Sequence, residues 1–555
     1  MSKQPPFNEK TASNNAASTT QKLQILSPIS LINPTRKQST EQHDVKQTEI
    51  NAITNDGVEL LNINSSFSAT DNSRCLKVHR KLGAIENMYF QYSKQGAETI
   101  CLMFQLKTDY NITPNLAELA FILLNKRHPL LRSSITTVLG PPNLNQYNLV
   151  QVTPAFYDFL VVKRGKWLDV LLDEAAVKFD DRRFPLFRCR LLISKEDTEN
   201  RPKESTSPGD KPFTSRFLFI AHHSVMDGGY IMWVFQDFVT FMDAIATERN
   251  ISTIPELPFL PQVESVLTFP SAIESAILTN NESSYQTSFS IKVCDDASNS
   301  QVLLDYNKKF ADNIQTFSSE PRNGCLTFKM SESETLAFSK ACRSHGCKPK
   351  GPLVTASIMA LLELIYGQFG DVEIPLEYIV DFRRFCNFPA LGTEVPNFTG
   401  VAALHVPMLA TFRRQTGPVS GQEFWDISKI VEDFLVTSIS SRRTYDFLQS
   451  IIQRDRENSI PTTEKGKAPY VLSISNMGIC DAGLNADLRQ RVHLADLHGH
   501  STVLVDDMPL FFMTTFLVNN QLCGNSSYCQ EYTSKTTCEQ FINMFRKYLT
   551  IHSKL

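Results

Sequence analysis

At 555 residues, with an apolar share of 42% and 10% aromatics, the chain has room and core material for two or three ordinary domains, or for one large two-lobed unit with tails. A net charge of −3 without a basic block argues against nucleic acid as a partner, and no run of about 18 apolar residues offers a membrane-spanning helix. The 12 cysteines are scattered without regular spacing, which fits reduced thiols in a cytoplasmic, reducing compartment rather than a disulfide scaffold.

Residues 1–75 are rich in Ser, Thr, Asn and Gln with few aromatics, too little to offset ordering entropy, so a disordered tail is expected. Within it LQILSPISLINP (23–34) is a mildly apolar patch, and no charged-then-apolar leader opens the chain. From RKLGAIENMYF (80–90) onward the pattern is globular. The spacing predicts a strand over AETICLMFQL (97–106) and a helix over NLAELAFILLNK (115–126), stopped where the residue before Pro129 avoids helical geometry. RHPLLRSSI (127–135) reads as extended, FLVVK (159–163) and FRCRLLIS (187–194) as strands, and 167–178 as a helix. The polar stretch 195–212 is a surface insertion between strands. RFLFI (216–220) is a buried-strand run, and IMWVFQDFVTFMDAI (231–245) repeats apolar residues at helical spacing.

A Pro-rich piece, STIPELPFLPQ (252–262), and polar sequence near 280–320 read as a crossover. Beyond it the pattern predicts a strand at CLTFKM (325–330), a Ser-capped helix at 331–346 and a buried helix at 353–369. Strands are expected at 377–385, 400–408, 470–478, 509–520 and 521–529, followed by a closing amphipathic helix at 539–551. That helix is expected to pack on the second lobe through Phe541, Ile542, Phe545, Tyr548 and Leu549, with a lipid surface as the alternative. Both halves mix strands and helices, so the expected fold class is α/β with an N-terminal lobe (76–290), a crossover linker (291–322) and a C-terminal lobe (323–555).

Three clusters carry chemistry-bearing side chains. CRSHGC (342–347) groups Cys342, His345 and Cys347, but no second Cys/His pair at finger spacing follows, so no metal is expected. LHGHS (497–501) offers His498 and His500 without further ligands and reads as a surface loop. The third, IAHHSVMDGGY (220–230), sets His222, His223, Asp227, Gly228 and Gly229 between a buried strand and an apolar helix. His-His-x-x-x-Asp-Gly arises by chance in roughly one chain of this composition in two thousand. A neutral imidazole at a strand end can take a proton from a nucleophile, and the glycines allow close approaches that a Cβ would obstruct. There is no Gly-x-Ser-x-Gly elbow and no phosphate-binding loop, which removes the commonest hydrolase and nucleotide-enzyme schemes.

HHSVMDG (222–228) resembles the signature of the CoA- and carrier-dependent acyltransferases, a superfamily that includes chloramphenicol acetyltransferases, peptide-synthetase condensation domains and alcohol acetyltransferases. RKLGAIENMYF resembles the opening of the alcohol O-acetyltransferase branch, and LLNKRHPLLRSSI its RHPxLR segment. FDDRRFPLFRCRLLI (179–193), VDFRRFCNFPALGTEVPNFTG (380–400) and LSISNMG (472–478) resemble further family segments in the family's order, with Pro396 where glycine is more usual.

The resemblance implies two chloramphenicol-acetyltransferase-like lobes, each a mixed sheet flanked by helices, with the active site in a tunnel between them. It assigns His223 as general base and Asp227 as a structural aspartate paired with an arginine, for which Arg383 is the candidate and a solvated face the alternative. Gly228 closes the signature, and His222 is expected to be structural. An oxyanion donor would come from Ser473, Ser475 or Asn476, unless that strand serves packing alone. The implied reaction moves an acetyl or short acyl group from acyl-CoA, a co-substrate rather than a bound cofactor, to the hydroxyl of a hydrophobic alcohol. An amine acceptor, a carrier-bound donor and a silent acyl-CoA-binding scaffold remain as alternatives. A monomer is expected, with peripheral contact to an internal membrane left open.

Overall fold

The computed structural model describes residues 75–94, 99–140, 144–153, 157–163, 166–179, 185–193, 211–249, 251, 254–259, 261–267, 289–293, 301–310, 323–367, 371–383, 403–412, 419–440, 442–457, 470–480, 486–502 and 509–553. The tail expected over 1–75 and the insertion expected over 195–212 lie almost wholly outside them. The first half runs β1 (Cys75–Lys81), α1 (Ala84–Lys94), β2 (Thr99–Thr108), α2 (Pro114–Arg127), a 3-10 turn (Pro129–Arg132), β3 (Ser133–Gly140), β4 (Leu144–Thr153), β5 (Asp158–Val162), α3 (Trp167–Ala176), β6 (Phe187–Leu192), β7 (Phe213–His222) and α4 (Gly228–Ala246). A short turn, α5 (Val263–Val266), precedes β8 (Phe289–Val293), α6 (Gln301–Phe310), β9 (Asn323–Lys329), α7 (Glu332–Ser344), α8 (Lys350–Tyr366), β10 (Val372–Asp381) and β11 (Ala403–Phe412). The remainder is α9 (Gly421–Ser440), α10 (Arg442–Arg456), β12 (Leu472–Ile479), α11 (Ala486–Arg491), β13 (Val492–Ser501), β14 (Phe511–Val518), β15 (Gln521–Cys529) and α12 (Lys535–His552).

Local chemistry sets many of these boundaries. Thr113 caps α2 through its side chain onto Leu116 N with Pro114 at the first helical position, and Ser331 with Glu334 forms a capping box on α7. Gly367, at φ 71°, ends α8 in the left-handed conformation that a Cβ disfavours. The helix over 350–366 is apolar on nearly every face because it is buried on nearly every face, so it shows no amphipathic stripe.

The strands form three sheets: β1-β4-β3, β13-β2-β7-β6-β5 and β8-β11-β10-β12-β14-β15-β9. Both larger sheets are mixed, parallel at β5–β6 in the first and at β10–β12–β14 in the second, and antiparallel elsewhere. Two main cores follow. Phe104, Phe219, Phe235 and Phe238 centre that of the N-terminal lobe, and α8, α12 and the seven-stranded sheet that of the C-terminal lobe.

Three expectations need correction. The 291–322 linker is not a plain connector: β8 pairs with β11 at the edge of the seven-stranded sheet, and Val302, Tyr306 and Phe310 of α6 are buried in that lobe's core. Their apolar residues are widely spaced among polar ones, which hid the helix. LHGHS is not a surface loop: it ends β13, which pairs antiparallel with β2, burying His498 and His500. One strand from the second half thereby completes the sheet of the first. RHPLLRSSI is extended only from Ser133, where β3 begins: Arg127 ends α2, and Pro129–Arg132 form a 3-10 turn. The closing helix buries Phe541, Ile542, Phe545, Tyr548 and Leu549 in the C-terminal core, so that apolar face is already covered.

Candidate active site

β7 is buried over its last six residues, and the chain then turns through His222–Asp227 into α4. Asp227 is the helix N-cap: its backbone is extended and its Oδ1 accepts from Tyr230 N at 2.9 Å. The same oxygen accepts from Arg383 Nη2 at 2.7 Å, and Arg383 Nη1 donates to Asp381 Oδ1 at 3.1 Å. Burial disfavours the guanidinium charge, but Asp227 and Asp381 outweigh it and raise the Arg383 pKa. Arg383 lies two residues beyond the end of β10, so this ion pair joins the two lobes. The Gly-Gly pair explains the approach. A Cβ on Gly229 would lie 2.9 Å from Arg383 Nη1, and one on Gly228 would lie 3.1 Å from Met477 Cε of β12.

The two histidines are treated differently. His222 is buried, its Nδ1 accepting from Ser224 N at 3.2 Å, with Ser224 Oγ 2.7 Å from the same atom. Nε2 therefore carries the proton and donates to Ser93 Oγ at 2.7 Å. Burial first, and the neighbouring His223 second, lower its pKa to about 3, so it is neutral near pH 7. His223 is only partly buried, with Nδ1 on the buried side. Its ring lies flat on Tyr89, centroids 3.9 Å apart and planes within 8°.

Tyr89 reaches that place because α1 is held firmly. Glu86 accepts from Gly83 N at 2.8 Å and pairs with Arg80 at 2.6 Å, while Glu264 accepts from Ile85 N at 2.7 Å. The RHPLLR segment braces α4 from the other side: His128 Nε2 lies 2.8 Å from Asp237 Oδ2 and Nδ1 3.1 Å from the Tyr230 hydroxyl, and Arg127 Nε donates to Asp237 at 2.6 Å.

Of the three expected oxyanion donors, Ser473 is fully buried, and the Asn476 Oδ1 accepts from Gly478 N at 3.0 Å. Ser475 is half-buried and lies on the same face of β12 as Met477, the residue that abuts Gly228. In the Cys342–His345–Cys347 cluster, the His345 ring stacks on Trp425 at 4.6 Å, and burial pushes the Cys342 thiol up to about 12.

No family model and no curated protein matches the chain. Solved structures do match. Polyketide synthase associated protein 5 from Mycobacterium tuberculosis superposes with a TM-score of 0.54 at 15% identity, over 86% of this chain and 100% of that one. TRI3 trichothecene 15-O-acetyltransferase from Fusarium sporotrichioides gives 0.57 at 11% identity, over 86% and 95%. The first condensation domain of the CDA synthetase gives 0.53 at 11% identity, over 86% and 96%. The fold is the two-lobed condensation-domain and acetyltransferase fold.

In this condensation-domain fold the HHSVMDG turn sits where the lobes meet, with Arg383 and Met477 reaching it from the second lobe. Sequence reasoning missed Tyr89 and Ser93. Tyr89 stands inside the AIENMYF segment quoted for its resemblance, but nothing in spacing shows which side chain of α1 meets His223.

Proposed function

We propose that the chain is an acyltransferase that moves an acetyl or short acyl group from acyl-CoA to the hydroxyl of a hydrophobic alcohol, with His223 as general base. The observation that carries this is the His223 ring, partly open at the junction of two lobes, while Asp227 of the same turn is committed to the Arg383 ion pair. With Nδ1 on the buried side, Nε2 is the nitrogen that meets substrate. It takes the alcohol proton as the oxygen attacks the thioester carbonyl. The tetrahedral oxyanion is met by the Ser475 hydroxyl, and its collapse expels the CoA thiolate, which recovers the proton from the imidazolium. Much of the acceleration comes from holding alcohol and thioester together between the lobes. The similarity to an acetyltransferase and to condensation domains supports transfer of an acyl group, and the site residues support His223 as its base.

The test is release of free CoA from acetyl-CoA with a panel of alcohols and amines. Wild-type protein should turn over an alcohol, and His223→Ala should lose about 10²–10⁴-fold in kcat with an unchanged melting temperature. Turnover with amines alone would move the reading to N-acylation. A reaction that needs a phosphopantetheinyl carrier protein would move the donor from CoA to a carrier. Binding of acyl-CoA without any turnover would make the protein a scaffold.

A further inference from the structure

The face that the C-terminal sheet turns toward the N-terminal lobe is polar along a defined row. Side chains on a strand alternate between faces. Leu472, Ile474, Phe511 and Met513 belong to the C-terminal lobe's own core, whereas Met477, Phe516 and Cys523 pack with the N-terminal core. Register then places Ser475 of β12, Thr514 of β14 and Asn525 of β15 side by side on the inter-lobe face. The row begins beside the catalytic turn, because Met477, two residues from Ser475, abuts Gly228. It runs through Asn525 to Thr327 of β9, and Asn525 is 0% exposed with its Oδ1 and Nδ2 both lacking a hydrogen-bond partner among the described residues. Asn525 points at the other lobe's sheet, since a Cβ on Gly499 of β13 would lie 3.4 Å from its Oδ1. A buried donor and a buried acceptor left unmatched are each costly, and an aliphatic side chain would fill a dry core without that penalty.

We propose that Asn525, assisted by Thr514, is a specificity residue that receives a second oxygen function of the acceptor, a hydroxyl or carbonyl remote from the reacting hydroxyl at His223. This rests on the acyltransferase reading above. A hydroxyl donates and accepts, so it matches Oδ1 and Nδ2 together. Two strand spacings across the sheet and one i,i+2 step along it separate Asn525 from the residue at the catalytic turn, about 12 Å. The acceptor class is therefore a long or polycyclic alcohol carrying a distant second oxygen, rather than a plain hydrocarbon alcohol.

The test reads binding by the full chain and needs no turnover. 1-Decanol and 1,10-decanediol are titrated by calorimetry into wild type, Asn525→Leu and Thr514→Val, with acetyl-CoA titrated in parallel. Wild type should bind the diol at least tenfold more tightly than the mono-alcohol. Asn525→Leu should erase the preference while holding decanol and acetyl-CoA as wild type does, and Thr514→Val should reduce it. If Asn525→Leu does not fold, Thr514→Val and Asn525→Ser carry the same expectation. Equal or absent binding of the two alcohols by wild type means that Asn525 holds only a trapped water, and it overturns the proposal. So does a diol preference that survives both substitutions. A loss confined to acetyl-CoA puts the oxygen function on the donor and overturns the acceptor assignment. Turnover abolished in His223→Ala is scored separately, so the reaction and the specificity residue fail independently.

Discussion

At the scale of single residues, the His223 imidazole owes its orientation in part to a ring rather than to charge. Tyr89 lies flat against it at 3.9 Å, so replacing the ring should change how well the imidazole is aimed more than how substrate binds. Tyr89→Phe is expected to keep most activity. Tyr89→Leu should lower kcat about tenfold or more with KM little changed, which steady-state kinetics will show. Asp227 serves two partners with one oxygen, and the conservative variant separates them. Asp227→Asn still caps α4 but weakens the charge pairing with Arg383, whereas Asp227→Ala loses both and should destabilise the fold by about 1–3 kcal/mol in urea unfolding. The HHSVMDG signature was legible because its members are neighbours in sequence. Tyr89 was not, because the contact that gives it meaning joins α1 to a turn far along the chain.

Among the elements, β13 shows why local pattern runs out. Its LHGHS end carries a glycine and two histidines, which reads as a loop, yet pairing with β2 on one side and contact with β15 make it a buried strand. His500 donates to or accepts from Ser527 Oγ at 2.8 Å, and burial lowers its pKa to about 3. His222 is lowered equally far, chiefly by burial. A histidine whose folded pKa lies below its unfolded value of 6.5 stabilises the fold fully above that value. That contribution falls away between about pH 6.5 and about pH 3, because the unfolded chain takes up the proton first. The melting temperature should therefore drop as pH falls below 6.5, less steeply in His500→Gln.

Glu264 works in the opposite sense. Burial first, and Glu86 second, raise its pKa to about 7, so its contribution is present below 4.5 and lost as pH rises through about 7. Glu264→Gln should leave the protein more stable than wild type above pH 7, as measured by melting temperature across pH. The long regular elements were readable from period and caps. β8 and α6 were not, since a five-residue edge strand and a helix of low apolar content carry too little signal.

For the whole molecule, the two-lobe plan was legible from the alternation of strands and helices, but the manner of joining was not. Among the attachments that cross between the halves, β13 completes the five-stranded sheet, Arg383 binds the cap of α4, and Asn87 Nδ2 donates to Asp455 Oδ1 at 2.6 Å. The described residues should consequently unfold in one cooperative transition, with calorimetric and van't Hoff enthalpies equal. A chain cut after residue 322 should fail to give a stable N-terminal lobe, because β2 would keep β7 but lose β13 and become an open edge.

The order of synthesis gives that strand exchange a further meaning. β2 ends at Thr108 and β13 at Ser501, so the ribosome makes the whole intervening stretch before the hydrogen-bonding edge of β2 is covered. At ordinary elongation rates that interval is roughly 20–80 s. During it the nascent polypeptide presents an uncapped β edge, the template on which chains aggregate. Any product that stalls before β13 keeps that edge permanently, which makes it a natural client for chaperones and for degradation.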